Sequence, residues 1–363
     1  MFDIFANKKI IITGHTGFKG SWLVAILSKY SKEIYGLSLD VPTSPSHYNF
    51  FKKKVQNRNF IDIRDRKKVE YFINKIKPDF IFHFAAQPIV LKSFIDPILT
   101  YETNILGTAN LLNSLRFLKK KCTSIIITSD KCYENLEKFT GYKESDRLGG
   151  SDPYSSSKAA AELVAQSYFR SFFSSKNTNI KIGIARAGNV IGGGDWARDR
   201  IVPDCIRNWS NNKKAIIRNP NSIRPWQHVL EPLSGYITFA KYLYYNQIKS
   251  GHSFNFGPKY TNDHSVKDLV IEISKFWPNA KWKKMNGSLN QKYESKLLKL
   301  NCKKALKYLN WQSTLNFAMT AEYTSLWYKE YYNYGILRAL ECTNNQIESY
   351  MELFKKKNNK IIN

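Results

Sequence analysis

Tyr154 and Lys158 stand four residues apart in Tyr154-Ser155-Ser156-Ser157-Lys158, a spacing that puts both on one face of a helix. An ammonium beside a phenol favours the phenolate and lowers its pKa. Such a tyrosine can take the proton of a sugar hydroxyl while a hydride leaves the same carbon for a nicotinamide. YxxxK is common in helices, so its weight comes from its surroundings. Upstream, Thr128-Ser129-Asp130-Lys131 closes an apolar run at 124–128. If that run is a strand of an open α/β sheet, these polar residues point at the ligand crevice. Ser129 is then placed to hydrogen-bond the hydroxyl being oxidised and Asp130 to act as a general acid. Lys131 is a base only where desolvation or nearby cations lower its pKa. The plain alternative is a strand-end turn with solvated charges.

A third set is Gly14-His15-Thr16-Gly17-Phe18-Lys19-Gly20, a GxxGxxG between an apolar run at 8–13 and the helical stretch SWLVAILSKY. Its glycines permit a tight turn and close approach of backbone to a pyrophosphate at a helix N-terminus. Asp40 stands about 20 residues past the last glycine, where a dinucleotide fold places the acid that binds the adenosine ribose. No arginine follows it directly to take a 2′-phosphate, so NAD is preferred over NADP. Asp40 precedes Val41-Pro42, and an ordinary turn residue is the alternative. Asp62 is placed at a strand end to meet the adenine, or else to cap that strand. His15 reads as structural and His83 as a satisfied sheet residue. No two histidines have metal-ligand spacing with a carboxylate, so no metal site is predicted. Trp22, Trp196, Trp226 and Trp311 read as core, with Trp196 also placed to border a nucleotide.

These residues need elements to hold them. Strands are predicted at 8–13, 33–39, 60–63, 80–85, 124–128 and 180–185. Helices are predicted from Ser21, over 67–77, as one long helix over 97–119, and over 155–173. Repeated βα units of this kind make an α/β fold, a Rossmann-type doubly wound parallel sheet. The second half reads as a smaller mixed α/β domain packed over the sheet. Its helices are expected at 201–209, 230–245, 266–276, 300–309 and 315–332, and its strands at 214–218 and 252–256. The division is 1–190 for the NAD-binding domain, with later segments returning to it, and 191–340 mainly for substrate. Residues 341–363 form a basic tail, ending KKKNNKIIN, that is expected to fray.

Composition narrows the class. Among 363 residues, 43% are hydrophobic and 14% aromatic, enough for a buried core and against dominant disorder. No run of about 18 apolar residues occurs, so no spanning helix is expected. The start, MFDIFANKKIIITG, lacks the h-region of a signal peptide. Cys122, Cys132, Cys205, Cys302 and Cys342 are scattered and odd in number, as expected of reduced thiols in the cytoplasm. The net charge is +27, but the lysines are spread along the chain and not interleaved with aromatics. That argues against nucleic acid as a partner, while a positive field still draws in an anionic nucleotide substrate.

GHTGFKGSW, HFAAQ at 83–87, TSDKCYEN at 128–135, DPYSSSK at 152–158, RAGNVIGGGDW at 186–196 and RPWQHVLEP at 224–232 together resemble the CDP-glucose 4,6-dehydratases. These are extended short-chain dehydrogenase/reductases, and the likeness runs from about residue 5 to about residue 335. Related dTDP-glucose dehydratases carry Thr-Asp-Glu where this chain has Ser129-Asp130-Lys131, the version of the CDP-glucose branch. The resemblance implies that Tyr154, aided by Lys158, takes the C4 hydroxyl proton as hydride passes to NAD. Lys131 then removes the acidified C5 hydrogen, Asp130 protonates the leaving C6 hydroxyl, and the hydride returns to C6. The product would be a 4-keto-6-deoxyglucose nucleotide, a precursor for deoxysugars of lipopolysaccharide and similar surface polysaccharides.

The resemblance also implies site residues. NAD would be held by Gly14, Thr16, Gly17, Phe18, Lys19 and Gly20. Asp40, Asp62, Ile63, Phe84, Ala85 and Ala86 would join them, with Gln87, Asn104, Thr128, Tyr154 and Lys158 on the nicotinamide side. The nucleotide sugar would face Gln87, Arg186, Asn189, Arg200, Arg224 and His228, with Arg224 on the diphosphate. Relatives pair through the equivalents of the two long helices, which implies a homodimer or larger homo-oligomer. Near the C-terminus the family pattern has a histidine-glutamate pair. Here Tyr293-Glu294-Ser295-Lys296 replaces the histidine and leaves base selectivity open. Two other readings stay open: an epimerase or reductase that has no use for Lys131, or a dehydratase of another nucleotide hexose. A noncatalytic NAD binder has no need of an acid and a base.

Overall fold

Strands β1 (Ile10–Thr13), β2 (Ile34–Leu37), β3 (Phe80–His83), β4 (Cys122–Ile127) and β5 (Ile180–Ala187) are built almost wholly from buried residues. Strands apolar on both faces belong inside a parallel sheet with helices on either side. The computed structural model describes residues 2–57, 60–175, 178–259, 263–285 and 297–359. In it these five strands and a sixth, Ser253–Phe256, form one parallel sheet in the order β2-β1-β3-β4-β5-sixth. Alternation divides the core. Ile10, Ile12, Phe80, Phe82, Ile125 and Ile127 meet helix α1 (Phe18–Leu27) and the Leu230–Tyr244 helix. Ile11, Ile81, Ile126, Ile182 and Ile184 meet the helices Arg66–Ile76, Gly107–Leu115 and Pro153–Tyr168. The order reverses between β1 and β3, so the ligand crevice opens there.

Several expectations are corrected. Residues 60–63 make no strand. Ile61 gives one hydrogen bond to the Ser38 carbonyl at 2.8 Å, and Asp62 turns back to take hydrogen bonds from Arg64. Ile63 is instead a core residue, packed where a Cβ on Gly107 would come within 2.6 Å of it. β2 is therefore the sheet edge. There the Asn57 carboxamide takes the Gly36 N–H at 2.7 Å and returns a hydrogen bond to the Gly36 carbonyl at 2.7 Å. The helix expected over 97–119 runs without a gap from Pro97 to Leu115, ends four residues early, and is interrupted in its α-helical pattern by a π-helical turn at Glu102–Leu106. The strand expected at 252–256 pairs with β5 and so returns to the main sheet. Small parallel pairs join Ala215–Ile217 to Trp282–Lys284 and Val190–Ile191 to Gln227–His228.

The described part of the tail, 341–359, is helical where fraying was expected. Ile336–Asn359 is one helix, whose Ile347, Tyr350, Met351 and Phe354 are buried at helical spacing. Tyr350 donates to the Glu231 carboxylate at 2.8 Å, and Lys357 to the Ser313 carbonyl at 2.6 Å. Residues 293–296 lie outside the described residues. No helix among the described residues is long and apolar enough to cross a membrane.

Candidate active site

The glycine loop leaves β1 at Gly14, whose φ of 70° puts it in the left-handed region. A Cβ there would lie 2.8 Å from the Ala85 nitrogen, and one on Gly20 would collide with the Gly14 carbonyl. Gly17 is the N-cap of α1 and offers no side-chain cap, so the first-turn N–H groups are left to donate to an anion. Lys19 sits in that turn. Burial, with repulsion from Lys158 and Arg200, pushes its pKa down to about 7, against the pull of Asp130. A crowded, depressed cation beside a bare helix end fits a pyrophosphate. Thr16 donates to the Asp40 carbonyl at 2.6 Å, leaving the exposed Asp40 carboxylate at the end of β2.

His15 and His83 are structural, as their places in the sequence indicate. His15 pairs with Ser38 at 2.7 Å, and burial pushes it down to about 4. His83 pairs with Thr13 at 2.7 Å and Thr108 at 3.0 Å, and burial pushes it down to about 3. Asn104 lies in the π-helical turn. Its Oδ1 accepts from the Gln87 N–H at 2.8 Å and its Nδ2 donates to Ser157 at 2.8 Å. Ser157 in turn donates to the Tyr154 carbonyl at 2.7 Å. The Gln87 side chain is turned into its own loop, with both ends bonded to Ile89 and one also to Thr100. Both residues thus brace the site from behind, and neither is an open ligand donor.

Tyr154 and Lys158 share the Pro153–Tyr168 helix. Asp152 caps it by accepting from the Ser155 N–H at 2.9 Å, and Pro153 occupies its first turn. Lys158 donates to the Ile127 carbonyl at 3.3 Å. Burial pushes Tyr154 up to about 12, opposed by a hydrogen bond with Ser129, and pushes Lys158 down to about 8. The expected depression of the phenol is therefore outweighed by burial in the polypeptide alone. Asp130 opens the 3-10 turn Asp130–Cys132, and its Oδ1 accepts from Ser129 at 2.9 Å. Its Oδ2 is buried with no partner among the described residues. Burial raises its pKa, against Ser129, Lys131 and Arg224. Lys131 is half-buried. It lines a cavity of about 390 Å³ whose wall also holds Glu134, Arg147, Asp152 and Ser155.

Arg200 pairs with Asp195 at 2.8 Å and raises the local field felt by Tyr154. Asn189 is half-buried just beyond β5, and Arg224 donates to the Ile223 carbonyl at 2.8 Å near enough to affect Asp130. Two residues assigned to substrate are elsewhere. Arg186 shares strand parity with Ile182 and Ile184, so it points under the Pro153–Tyr168 helix. It is 1% exposed and bound to Glu162 and Tyr133. His228 lies fully buried edge-on to Trp22 and Tyr323. Glu162 and Ser157 also belong to the site, though no motif marks them in the sequence. Glu162 was visible as the next residue on the Tyr154/Lys158 face, at the same four-residue step. Tyr236 is likewise unmarked; its hydroxyl is buried without a partner among the described residues and feels Asp130 and Tyr154. No cluster of metal-ligating side chains occurs among the described residues.

The family model for GDP-mannose 4,6 dehydratase matches residues 11–324. The CDP-glucose 4,6-dehydratase of Salmonella typhimurium is 42% identical over 354 residues, covering 96% of this chain and 98% of that protein. The CDP-paratose 2-epimerase of Salmonella typhi is 28% identical, covering 72% of this chain and 82% of that one. Among solved structures, DesIV (dTDP-glucose 4,6-dehydratase) from Streptomyces venezuelae, with NAD and TYD bound, superposes with a TM-score of 0.74. It is 21% identical, covering 89% of this chain and 97% of its own. Pal from Bacillus thuringiensis gives 0.76 at 24% identity, covering 88% and 99%. The structural likenesses establish the fold. The identity and coverage of the Salmonella typhimurium relative, with the model match, place the chain in the family of the CDP-glucose 4,6-dehydratases, among the nucleotide-sugar 4,6-dehydratases.

Proposed function

We propose that this protein is an NAD-dependent CDP-glucose 4,6-dehydratase, turning CDP-glucose into its 4-keto-6-deoxy product and water. One observation carries the reading: the Ser129-Asp130-Lys131 turn meets Tyr154 and Lys158 at the end of β4. Elimination needs an acid and a base beyond the tyrosine, and an epimerase or reductase does not.

The glycine loop, Lys19, Asp40 and the backbone at 84–87 would hold NAD, which when bound accepts a hydride from C4 and gives it back to C6. Tyr154 takes the C4 hydroxyl proton. Lys158, by its charge, and Ser129, by its hydrogen bond, favour the phenolate that burial disfavours. The resulting ketone acidifies the C5 hydrogen, and Lys131 receives it as a proton. Asp130, whose pKa burial raises, is the acid placed to give the C6 hydroxyl the proton it needs to depart as water. The C5–H and C6–O bonds break and a C5=C6 double bond forms. Lys131 holds the C5 proton and later returns it to C5, while the proton that Asp130 gives up leaves in the water. Lys19, Arg200 and Arg224 supply positive charge for the diphosphate. Asp62 and Ile63 would border the adenine.

The NAD-binding half would be 1–190 and the substrate half mainly 191–340. The setting would be cytoplasmic deoxysugar synthesis for lipopolysaccharide or a similar polymer. The assembly would be a homodimer through the exposed Ile98, Leu106, Leu163 and Phe172 of the two long helical segments.

The deciding experiment incubates purified chain with CDP-, dTDP-, UDP- or GDP-glucose and follows product mass. Loss of one water from CDP-glucose alone is expected. Water loss from another sugar nucleotide keeps the mechanism and overturns the substrate; none from any overturns the dehydratase.

A further inference from the structure

Glu162 is completely buried one turn beyond Lys158. A carboxylate persists there only if its charge and lone pairs are met. Arg186 meets it through Nε at 2.9 and 3.1 Å and through Nη2. Thr128 donates at 3.3 Å, Ser253 at 3.0 Å and Gln166 at 3.2 Å. Arg186 extends the tie, since its Nη1 donates to the Tyr133 hydroxyl at 2.5 Å and its guanidinium lies 4.7 Å from the Tyr133 ring centre. Tyr133 then donates to Asn255 at 2.7 Å. Thr128 directly precedes Ser129, and Tyr133 follows Lys131 by two residues. The acid–base turn is thus held at both ends by one ion pair, and the carboxylate of that pair belongs to the helix of Tyr154 and Lys158.

We propose that Glu162 and Arg186 are positioning residues that hold Asp130 and Lys131 in register with Tyr154 and Lys158, so that oxidation at C4 and elimination across C5–C6 share one geometry. This rests on the dehydratase reading. Tyr154 and Lys158 have anchors of their own in Asp152, Ser93 and the Asn104–Ser157 bridge. The turn has backbone ties at Thr128, which donates to the Ala185 carbonyl at 2.9 Å, and at Cys132, whose carbonyl accepts from Gly149 at 2.9 Å, but the buried side-chain links at both of its ends run through the pair. Loosening the pair therefore harms elimination more than oxidation.

The test uses the full chain with NAD and CDP-glucose in D2O. It follows absorbance at 340 nm, deuterium at C5 and loss of water. For Glu162→Gln, the 340 nm signal is expected to rise and persist. Water loss and deuterium entry should fall about 100-fold, as for a reacting group displaced by about 1 Å, with KM little changed. Glu162→Asp, which keeps the carboxylate, should recover part of the loss. If Glu162→Gln does not fold by circular dichroism, Tyr133→Phe and Thr128→Val each cut one link and should show the same split on a smaller scale. Equal loss of both steps, or of neither, overturns the positioning role. Absence of water loss from the unsubstituted chain overturns the dehydratase reading, and this proposal with it.

Discussion

Lys19 occupies an unusual place for a lysine, in the first turn of a helix, where the helix dipole already repels it. Burial and two neighbouring cations push its pKa down to about 7. Binding a pyrophosphate should reverse this, and the affinity for NAD should follow the lysine's charge. Below about pH 7 the cation is present; as pH rises through that value it is lost and binding weakens. We expect Lys19→Met to bind NAD roughly tenfold or more weakly at pH 6, the worth of a charge-assisted hydrogen bond, and to flatten the pH dependence between 6 and 8.5. Titration calorimetry at three pH values checks this, and an unchanged slope in the variant removes Lys19 from the pyrophosphate. At this scale the sequence was readable where a motif sets direction as well as type. Tyr154 and Lys158 share a helix face by spacing, and Ser129 to Lys131 follow a strand end. Arg186 and His228 lie in motifs just as telling, but a motif does not say which way a strand residue points. The parity of Arg186 with Ile182 and Ile184 does.

The C-terminal helix shows what one buried carboxylate does to an element. Glu231 accepts from the Thr314 and Leu315 N–H groups and from Tyr350, and burial pushes it up to about 7. Unfolded, a glutamate titrates near 4.3. Between these values the folded chain holds the extra proton. The stability from Glu231 is thus full below about pH 4.3 and lost as pH rises through about 7. The Tyr350 hydroxyl favours the charged form, so Tyr350→Phe should deepen that loss. We expect a cost of about 1–3 kcal/mol, with the Tm deficit larger at pH 8 than at pH 5 in thermal melts. Equal deficits at both would disconnect the helix from Glu231. The element was hidden in the sequence because lysines dominate its end, while the apolar set Ile347, Tyr350, Met351 and Phe354 is short and interrupted. The strand expected at 60–63 failed for a related reason. Asp62 and Arg64 satisfy each other locally, and the chain turns before it can pair with β2.

At the scale of the molecule, both helical segments beside the active site carry exposed apolar side chains, Leu163 at 55% and Ile98 at 64% exposed. Surface of that kind marks an interface when it is contiguous. Light scattering is expected to show a two-chain particle, and Leu163→Glu should reduce it to 42.2 kDa while the chain stays folded. An unsubstituted chain that remains at 42.2 kDa at micromolar concentration sinks the dimer. The alternating βα plan was legible from apolar runs and glycines. The interruption at Glu102–Leu106 was not, because a π-turn leaves the apolar spacing on either side intact. That interruption lets Asn104 reach Gln87 and Ser157 together.

The outermost strand of a sheet is ordinarily a template, offering bare peptide groups to any passing chain. Asn57 removes that offer at Gly36 with one side chain, answering both backbone groups as a neighbouring strand would. At Gly36 that edge is therefore closed within the polypeptide, although the strand expected at 60–63 does not form. A second copy of the chain would have to displace this small amide before it could pair with β2 at Gly36.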